Sequence, residues 1–479
     1  MDRQAPNALT PARRYRAEPD TVTGAGSGRP LAPLLTRTAA TAAAPAQAVT
    51  RRTAALAAAA TPVALAACGP SGAPAGGESL PPRAKGPVTI QVMDWGTPEH
   101  DEVNKRFTQA NAHVTVVRMT PTAGQERHLK FETTLAAGEP PDLFWMDAGR
   151  TGDFREKKIL RLLDPLIKRD KFDIQDFFPA AQSIYQFQGQ NWGVLFDVAP
   201  WLLVYNKTLF EQKAVKPPTE TWTWNDLREA MLRLTSGGTG EDATFGGAFS
   251  RRWATQTFVY QNGGKVVDDL FTPARLLLDT KEALEGINFH VDLYVRHNAA
   301  VEDKEKTGGF TAGQLWEGGR LGLNFTSIWS HRKWTQTLPF DWDQMPPQQQ
   351  KQRATIVSSA AYIIPQLSKF PEEAWGLLKQ LNGREAHTLF AGTGTIMPGR
   401  RSVTLSDAFL KVPKPANMRA FVQIMDYAKP PQLVHPLEPD FRTLWDNSMA
   451  PVWNAKQSVA SAMTEMARQA NAMFQAAKQ

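Results

Sequence analysis

Apolar and polar positions at the start of the regular part of the chain predict a strand, a helix and a second strand. Val88–Met93 is a β-branched apolar run, and His113–Met119 alternates between apolar and polar side chains. Both patterns are typical of strands. Between them, Val103 and Phe107 stand four residues apart among charged residues, which predicts a surface helix.

The same order continues over the next thirty or so residues. The segment 127–137 has a helical pattern that ends at Gly138, and residues 142–147 form another apolar run. These features predict a second helix and a third strand that ends at Asp147. Alternating strands and helices predict a parallel sheet with right-handed crossovers, in which ligands bind at the carboxyl ends of the strands.

Further patterns extend the α/β prediction to the end of the chain. Thr223 has the side chain of a helix cap, and Leu227, Met231 and Leu234 follow it at helical spacing. The other predicted elements are two strand-like runs after Asn191 broken by Asp197 and Pro200, a helix leading through a Gly-Gly turn into a strand at 252–269, a helix at 280–297, a strand at Leu321–Phe325 followed by a turn and helix with Trp329, and a helical tail at 436–475.

The N-terminal segment has the order of charged, apolar and small residues that is typical of a secretory signal. Arg51-Arg52 precedes the apolar run Thr53–Ala67, which ends in Leu-Ala-Ala before Cys68, the only cysteine of the chain. Leu-Ala-Ala-Cys resembles a bacterial lipobox. We therefore predict that residues 1–67 are a leader with a lipoprotein signal peptide and that Cys68 is the lipidated residue.

Residues 68–86 are rich in Gly, Pro and Ser, which predicts a flexible linker. Two explanations of the long basic stretch 1–50 stay open: a start codon assigned too far upstream, or a leader of the twin-arginine type, because residues 50–56 loosely resemble that signal.

Composition narrows the classes of function. Residues 1–67 hold eight arginines and three carboxylates, which accounts for five of the seven net positive charges of the chain. The remainder is nearly neutral, and a nucleic-acid-binding surface is therefore not expected. A single cysteine excludes an intrachain disulfide and a cysteine-based zinc site.

Catalytic motifs have little support in the sequence. The chain has no HExxH, G-x-S-x-G or Walker A pattern, and the carboxylate pairs at 268–269 and 372–373 are adjacent residues, which point apart in a strand or a helix. We therefore expect no catalytic residues, no cofactor and no metal site. The 14 tryptophans suit stacking on sugar rings or filling a large core.

Residues 193–235, GVLFDVAPWLLVYNKTLFEQKAVKPPTETWTWNDLREAMLRLT, resemble the central signature of extracellular solute-binding protein family 1, the sugar-binding lipoproteins of ABC importers. Further resemblances, in the same order as in the family, are PDLFW from Pro141, QNGG from Gln261, FTAGQLWEGGRLGLNFTSIW from Phe310, and SKFPEEAWGLLKQLNGREA from Ser368.

The resemblance implies an α/β, two-lobed periplasmic-binding-protein-like fold of type II with a hinge between the lobes. By analogy with the family, lobe 1 comprises residues 87–208 and 359–401, and lobe 2 comprises 209–358 and 402–479. The chain is expected to cross between lobes near 205–210, to return near 358–364 and to cross again after Arg401.

The implied function is that of an extracytoplasmic receptor, anchored to the bacterial cell membrane by a lipid, that binds a sugar or an oligosaccharide and delivers it to the transmembrane subunits of an ABC permease. One alternative keeps the fold with a polyol, glycerol phosphate or other polar solute as ligand. The other is a secreted carbohydrate-active enzyme.

The family's motif positions imply a set of ligand-binding residues in the cleft. Tryptophan faces and short polar groups suit the two sides of a sugar ring. Core or hinge packing is the alternative for each tryptophan, and capping of the crossover is the alternative for Asp197. The implied residues are Trp95, Trp145, Asp147, Asp197, Trp253, Asn262, Trp329, Arg400 and Trp445.

Overall fold

The computed structural model describes residues 83–119, 124–238, 240, 242–302, 307–431 and 433–478. The predicted leader 1–67, Cys68 and most of the predicted linker 68–86 lie outside the described residues. Among the residues that are described, no helix is long and apolar enough to cross a membrane.

The strands, numbered in chain order, are β1 (Val88–Met93), β2 (Val114–Arg118), β3 (Leu143–Asp147), β4 (Gln186–Phe187), β5 (Gln190–Asn191), β6 (Val194–Pro200), β7 (Leu202–Asn206), β8 (Phe245–Phe249), β9 (Leu321–Thr326), β10 (Trp342–Met345), β11 (Thr355–Ile363), β12 (Met397–Pro398) and β13 (Ala428–Lys429). The α-helices are α1 (Pro98–Ala110), α2 (Gly124–Ala136), α3 (Thr151–Glu156), α4 (Asp164–Asp170), α5 (Pro179–Gln182), α6 (Lys207–Gln212), α7 (Trp224–Leu234), α8 (Trp253–Gln261), α9 (Lys281–Val295), α10 (Ala312–Glu317), α11 (His331–Thr337), α12 (Pro371–Leu381), α13 (Arg384–Gly392), α14 (Arg401–Thr404), α15 (Asp407–Leu410), α16 (Arg419–Ile424), α17 (Glu438–Trp453) and α18 (Val459–Ala476).

The first sheet has the strand order β12-β6-β11-β3-β1-β2, and β13 pairs with the start of β11. β1 runs parallel to both β2 and β3, as the strand-helix-strand pattern predicts. β11 then runs antiparallel to β3 on one side and to β6 on the other. The buried apolar side chains of the first sheet include Ile90, Val92 and Phe144. Their burial stabilises the packing of α1 and α2 against this sheet.

The second sheet has the order β10-β7-β9-β8 and packs against α7, and Phe249 of β8 contacts Phe258 of α8 and His290 of α9. The predicted cap at Thr223 is confirmed: its hydroxyl accepts from the Asp226 N–H, and the Asp226 carboxylate accepts from the Thr223 N–H. Leu227, Met231 and Leu234 are fully buried, as their spacing predicts.

The chain passes from the first sheet to the second at Trp201, the one residue between β6 and β7. The change of sheet therefore comes a few residues before the crossing near 205–210 that the family analogy suggests. The lobe boundaries remain a prediction. The joint at Trp201 matters for the site because strands of both sheets have an end close to it.

Two local expectations differ from the structure. Asp197 does not break a strand, because β6 continues through it to Pro200 and absorbs a register shift beside Ala360 and Ala361. The Gly-Gly turn at 263–264 leads into a loop that contains one isolated bridge, between Val267 and Leu276, and not into a strand. The predicted helical tail is confirmed and consists of two helices, α17 and α18.

Candidate functional site

A cavity of about 250 Å³ lies where residues of the two sheets and their connections meet. It is lined by His128, Asp147, Gly149, Arg150, Trp201, Trp253, Trp329, Ser358, Ser359 and Arg442.

One wall of the cavity comes from the first sheet. β3 ends at Asp147, and the chain turns directly into a 3₁₀ segment that places Gly149 and Arg150 at the wall. Ser358 and Ser359 come from β11, the neighbouring strand. This edge is the carboxyl end of β3, where the strand order predicts a ligand site.

The facing wall comes from the second sheet and its helices. Trp253 is the first residue of α8, Trp329 lies in a 3₁₀ turn after β9, and Arg442 lies on α17. A ligand in the cavity would therefore contact both walls at once.

Three tryptophans form the aromatic part of the cavity. The Trp201 ring lies edge to face with Trp329, at a centroid distance of 5.4 Å, and is tilted against Trp253 at 6.2 Å. Trp201 is buried, whereas Trp329 is 54% exposed. The guanidinium of Arg252 covers Trp253 at 4.2 Å from the ring centroid. Trp329 is thus the tryptophan with the most open face for stacking.

Two carboxylates lie at one register position on either side of β11. Asp147 of β3 and Asp197 of β6 both pair with Ala360, so their side chains project from the same face of the sheet. Burial raises the pKa of Asp197 to about 7, and the charge of Asp147 adds to the rise, while Trp145 and Arg127 oppose it. Near neutral pH, Asp197 therefore exists in both protonation states, as donor and as acceptor.

Basic side chains from α2 cover the end of β3. His128 Nε2 lies 3.2 Å from Asp147 Oδ2, and the Arg127 guanidinium lies 4.3 Å from the Trp145 ring centroid. Trp145 in turn meets Trp95 edge to face at 6.4 Å. The indole N–H group of Trp95 is buried and has no hydrogen-bond partner among the residues that the structure describes.

The structure brings six of the nine predicted ligand-binding residues to this region. Asp147, Trp253 and Trp329 line the cavity. Trp145, Trp95 and Asp197 form a connected group beside Asp147. Contact of these six residues with a ligand stays a prediction. Their positions place that contact in the cavity or directly beside it.

The other three predicted residues lie elsewhere. Asn262 ends α8 and donates to the Glu282 carbonyl and to the Glu285 carboxylate, both at 2.8 Å, so it ties α8 to α9. Trp445 is 1% exposed and packs in the core beside the second sheet. Neither residue lines the cavity.

Arg400 is the third residue that lies away from the cavity. It is 4% exposed, donates to the Asn382 carbonyl and to Asp176 Oδ2 at 3.1 Å, and lies 4.6 Å from the Phe177 ring centroid. Arg400 thus connects the junction between α12 and α13 with the segment 173–177.

The sequence prediction missed seven of the ten lining residues of the cavity, among them Trp201, Arg150, Ser358 and Arg442. Trp201 follows Pro200 at the end of an apolar run. This pattern indicates a joint between two elements and could have identified Trp201. Arg150 comes three residues after the predicted strand end at Asp147, and Ser358 lies at the expected return crossing near 358–364, so alternation alone does not identify either residue. Arg442 has no local signal, because α17 reaches the cavity only through tertiary packing.

Within the described part of the chain, no group of three or more His, Cys, Asp or Glu side chains is placed to hold a metal ion. The polar groups of the cavity are instead isolated donors and acceptors beside aromatic faces. This chemistry suits the hydrogen bonding and stacking of a polar organic solute.

Residues 92–387 match the sequence profile of the bacterial extracellular solute-binding proteins. The match spans more than half of the chain. It includes β3, β6, β11 and the cavity residues up to Ser359, and Arg442 lies beyond it.

Solved structures share the fold. The ABC substrate-binding protein Lmo0181 from Listeria monocytogenes, in complex with cycloalternan, has a TM-score of 0.74 and 20% identity over 82% of this chain and 99% of that chain. UgpB from Mycobacterium tuberculosis, in complex with glycerophosphocholine, has a TM-score of 0.71 and 16% identity over 82% and 100%. The sugar-binding protein MalE from Xanthomonas citri has a TM-score of 0.67 and 18% identity over 82% and 98%. The predicted two-lobed α/β fold is therefore confirmed.

Proposed function

Because the chain belongs to the bacterial extracellular solute-binding protein family, we propose that it is the solute receptor of an ABC importer and that it binds a sugar or an oligosaccharide in the cavity between its two sheets. The observation that carries the proposal is the convergence of Trp201, Trp253 and Trp329 on Asp147.

The chemistry of the cavity supports a polyhydroxylated ligand. The open face of Trp329 suits the C–H face of a sugar ring, and the carboxylate of Asp147 suits two neighbouring hydroxyls. Ser358 adds a hydroxyl that can donate and accept. Because Asp197 exists in both protonation states near neutral pH, it can accept a hydrogen bond from a ligand hydroxyl or donate one to it.

The mechanism is closure of the two walls on the ligand. Asp147 and Arg150 follow a strand of the first sheet, whereas Trp253, Trp329 and Arg442 belong to elements around the second sheet. A ligand that contacts both walls binds the closed form better than the open form, and this difference in affinity shifts the population to the closed form. The closed receptor is the form delivered to the permease.

The location follows from the N-terminal sequence. Lipidation of Cys68 would hold the receptor at the outer face of the cell membrane, with the linker 68–86 between anchor and fold. Detergent-phase partition and mass spectrometry of the mature N-terminus test this part. We expect a lipidated cysteine in the natural chain and an aqueous protein when Cys68 is replaced by Ser. An unmodified or uncleaved Cys68 in the natural chain would contradict it.

Titration of the purified chain with a panel of mono- and oligosaccharides tests the receptor function. We expect a saturable change in tryptophan fluorescence and a raised melting temperature with one class of sugar. The same mixtures are analysed for products after long incubation, where the binding family leads us to expect intact sugars. Turnover would favour a carbohydrate-active enzyme, and a folded protein that binds no sugar or polyol in the panel would contradict the proposal.

A further inference from the structure

Among the residues that the structure describes, the cavity lining contains two permanently charged guanidiniums, those of Arg150 and Arg442, and one acidic residue, Asp147. Asp147 already lies 3.2 Å from His128 Nε2, and the nearby Asp197 is neutral in part of the molecules near pH 7. An anion in the cavity would therefore be repelled less than it would be if Asp147 and Asp197 were both ionised and unpaired.

Each of the two arginines pairs with one carboxylate that is not part of the cavity lining. Arg150 Nη1 lies 3.2 Å from Glu132 Oε1, and Arg442 Nη2 lies 3.3 Å from Glu438 Oε1. A guanidinium has five N–H donors, so one carboxylate contact leaves several donors for another acceptor. The Nε–H of Arg442 is buried and has no hydrogen-bond partner within the described residues.

A third guanidinium adds to the positive potential behind Arg442. Arg252 stacks on Trp253 at the cavity wall. Burial lowers the pKa of Arg252, and the charge of Arg442 lowers it further, while the carboxylates of Glu438 and Asp446 act in the opposite direction. These carboxylates offset part of the positive charge at this wall, and an anionic ligand would bind the guanidinium donors that they leave open.

We propose that the ligand carries an anionic group, a carboxylate or a phosphate on a sugar or polyol, which is held between Arg150 and Arg442. This inference rests on the proposed receptor function and defines its ligand class. The anion accepts from donors on both walls, since Arg150 follows β3 of the first sheet and Arg442 lies on α17, which packs against α9 and α18 beside the second sheet. Charge neutralisation is thereby coupled to closure.

Paired neutral and anionic probes test the inference by fluorescence titration of the full chain. The pairs are glucose with glucuronate, galactose with galacturonate, glucose with glucose 6-phosphate, and glycerol with sn-glycerol 3-phosphate. We expect one anionic member to bind at least tenfold more tightly than its neutral partner, with an affinity that falls as NaCl is raised. The uronates and the phosphates distinguish the two kinds of anion.

Variants connect the preference to the arginines. We expect Arg442→Gln and Arg150→Gln each to weaken the anionic probe about tenfold or more, and Arg442→Lys to keep part of the preference. Arg468→Gln is the matched control, because Arg468 lies on α18, is largely exposed and pairs with Glu465. A folded Arg442→Gln protein with unchanged anion affinity would overturn the inference.

The outcomes separate the two proposals. Tight binding of a neutral sugar, equal to or better than that of its anionic partner, would overturn the anionic ligand and leave the sugar receptor standing. A folded protein that binds no member of this panel and none of the mono- and oligosaccharides of the receptor titration would overturn both.

Discussion

Trp201 and Trp329 meet edge to face, with their ring planes at 78° and their centroids 5.4 Å apart. Trp201 is the residue between the two sheets, and its Nε1–H donates to Ser358 Oγ at 3.4 Å. The neighbouring Pro200 carbonyl accepts from Ser327 Oγ at 2.8 Å. The joint between the sheets therefore also supports the exposed tryptophan of the cavity.

Replacing Trp329 by Ala tests the stacking face. Because the side chain is 54% exposed, we expect its removal to lower the free energy of unfolding by less than about 1 kcal/mol. Ligand affinity is expected to fall roughly tenfold, since an aromatic contact of about 1–2 kcal/mol is lost. Calorimetric titration and chemical unfolding measure the two effects, and an unchanged affinity would remove Trp329 from the site.

Trp445→Ala is the counterpart in the core. Trp445 is fully buried beside the second sheet and lies away from the cavity. We expect a loss of about 3–5 kcal/mol in the free energy of unfolding, which is typical of a large-to-small change in a core. Urea unfolding checks this value, and a loss below about 1 kcal/mol would contradict the packing role.

The contrast between these two tryptophans shows how far the sequence predicts the site. Alternation along β3 puts Trp145 and Asp147 on one face, and this can be read locally. The burial of Trp445 depends on how α17 packs, and the pairing of Asp147 with Asp197 depends on β11 entering between β3 and β6. Those relationships join residues far apart in the chain, so no local pattern predicts them.

The fold also has parts that local sequence patterns predict and parts that they do not. Strands β1 to β3 and the capped helix α7 follow from periodicity and cap chemistry. The loop after Gly264 does not, because its apolar residues Val266 and Val267 are buried against helices without pairing in a sheet.

Asp197 gives the fold a pH dependence of defined sign. Its pKa is raised to about 7 by burial, so between about pH 4 and pH 7 the folded chain keeps a proton that the unfolded chain releases. The free energy of unfolding therefore falls as the pH rises through this window, by about 4 kcal/mol at most. Asp197→Asn is expected to remove this part of the slope.

Urea unfolding of the natural protein and of Asp197→Asn at several pH values measures the difference. Asp407→Asn is a suitable control, because Asp407 is exposed and pairs only with Lys411 on the same helical face among the described residues. Parallel slopes for the natural protein and Asp197→Asn would contradict the raised pKa.

Buried histidines act in the opposite direction at lower pH. Burial lowers the pKa of His331 to about 4 and the pKa values of His290 and His387 to about 3. Stability that these neutral side chains contribute is present above about pH 6.5 and is lost as the pH falls towards their folded pKa values. We expect His387→Asn to reduce the acid-induced loss of stability, measured as the difference in the free energy of unfolding between pH 7 and pH 5; an unchanged loss would contradict this account.

Gly152 marks a close approach at the edge of the cavity. A Cβ on this residue of α3 would lie 2.6 Å from the carbonyl carbon of His435, in the segment that leads into α17. We expect Gly152→Ala to lower the melting temperature, because the His435 backbone has to shift, and to weaken ligand binding at least tenfold, because the shifted segment leads into α17 with Arg442.

Gly313→Ala is the matched control for this substitution, since its Cβ would meet only Thr311 Oγ1, at 3.9 Å. Equal ligand affinity of the natural protein and Gly152→Ala would show that the approach to His435 does not govern ligand binding.

A crystal structure of the chain with the sugar or polyol that binds most tightly tests the central claim most directly. Our account predicts the ligand between Asp147 and Trp329, in contact with residues of both walls. A ligand bound at saturating affinity anywhere else on the protein, with this cavity empty, would contradict it.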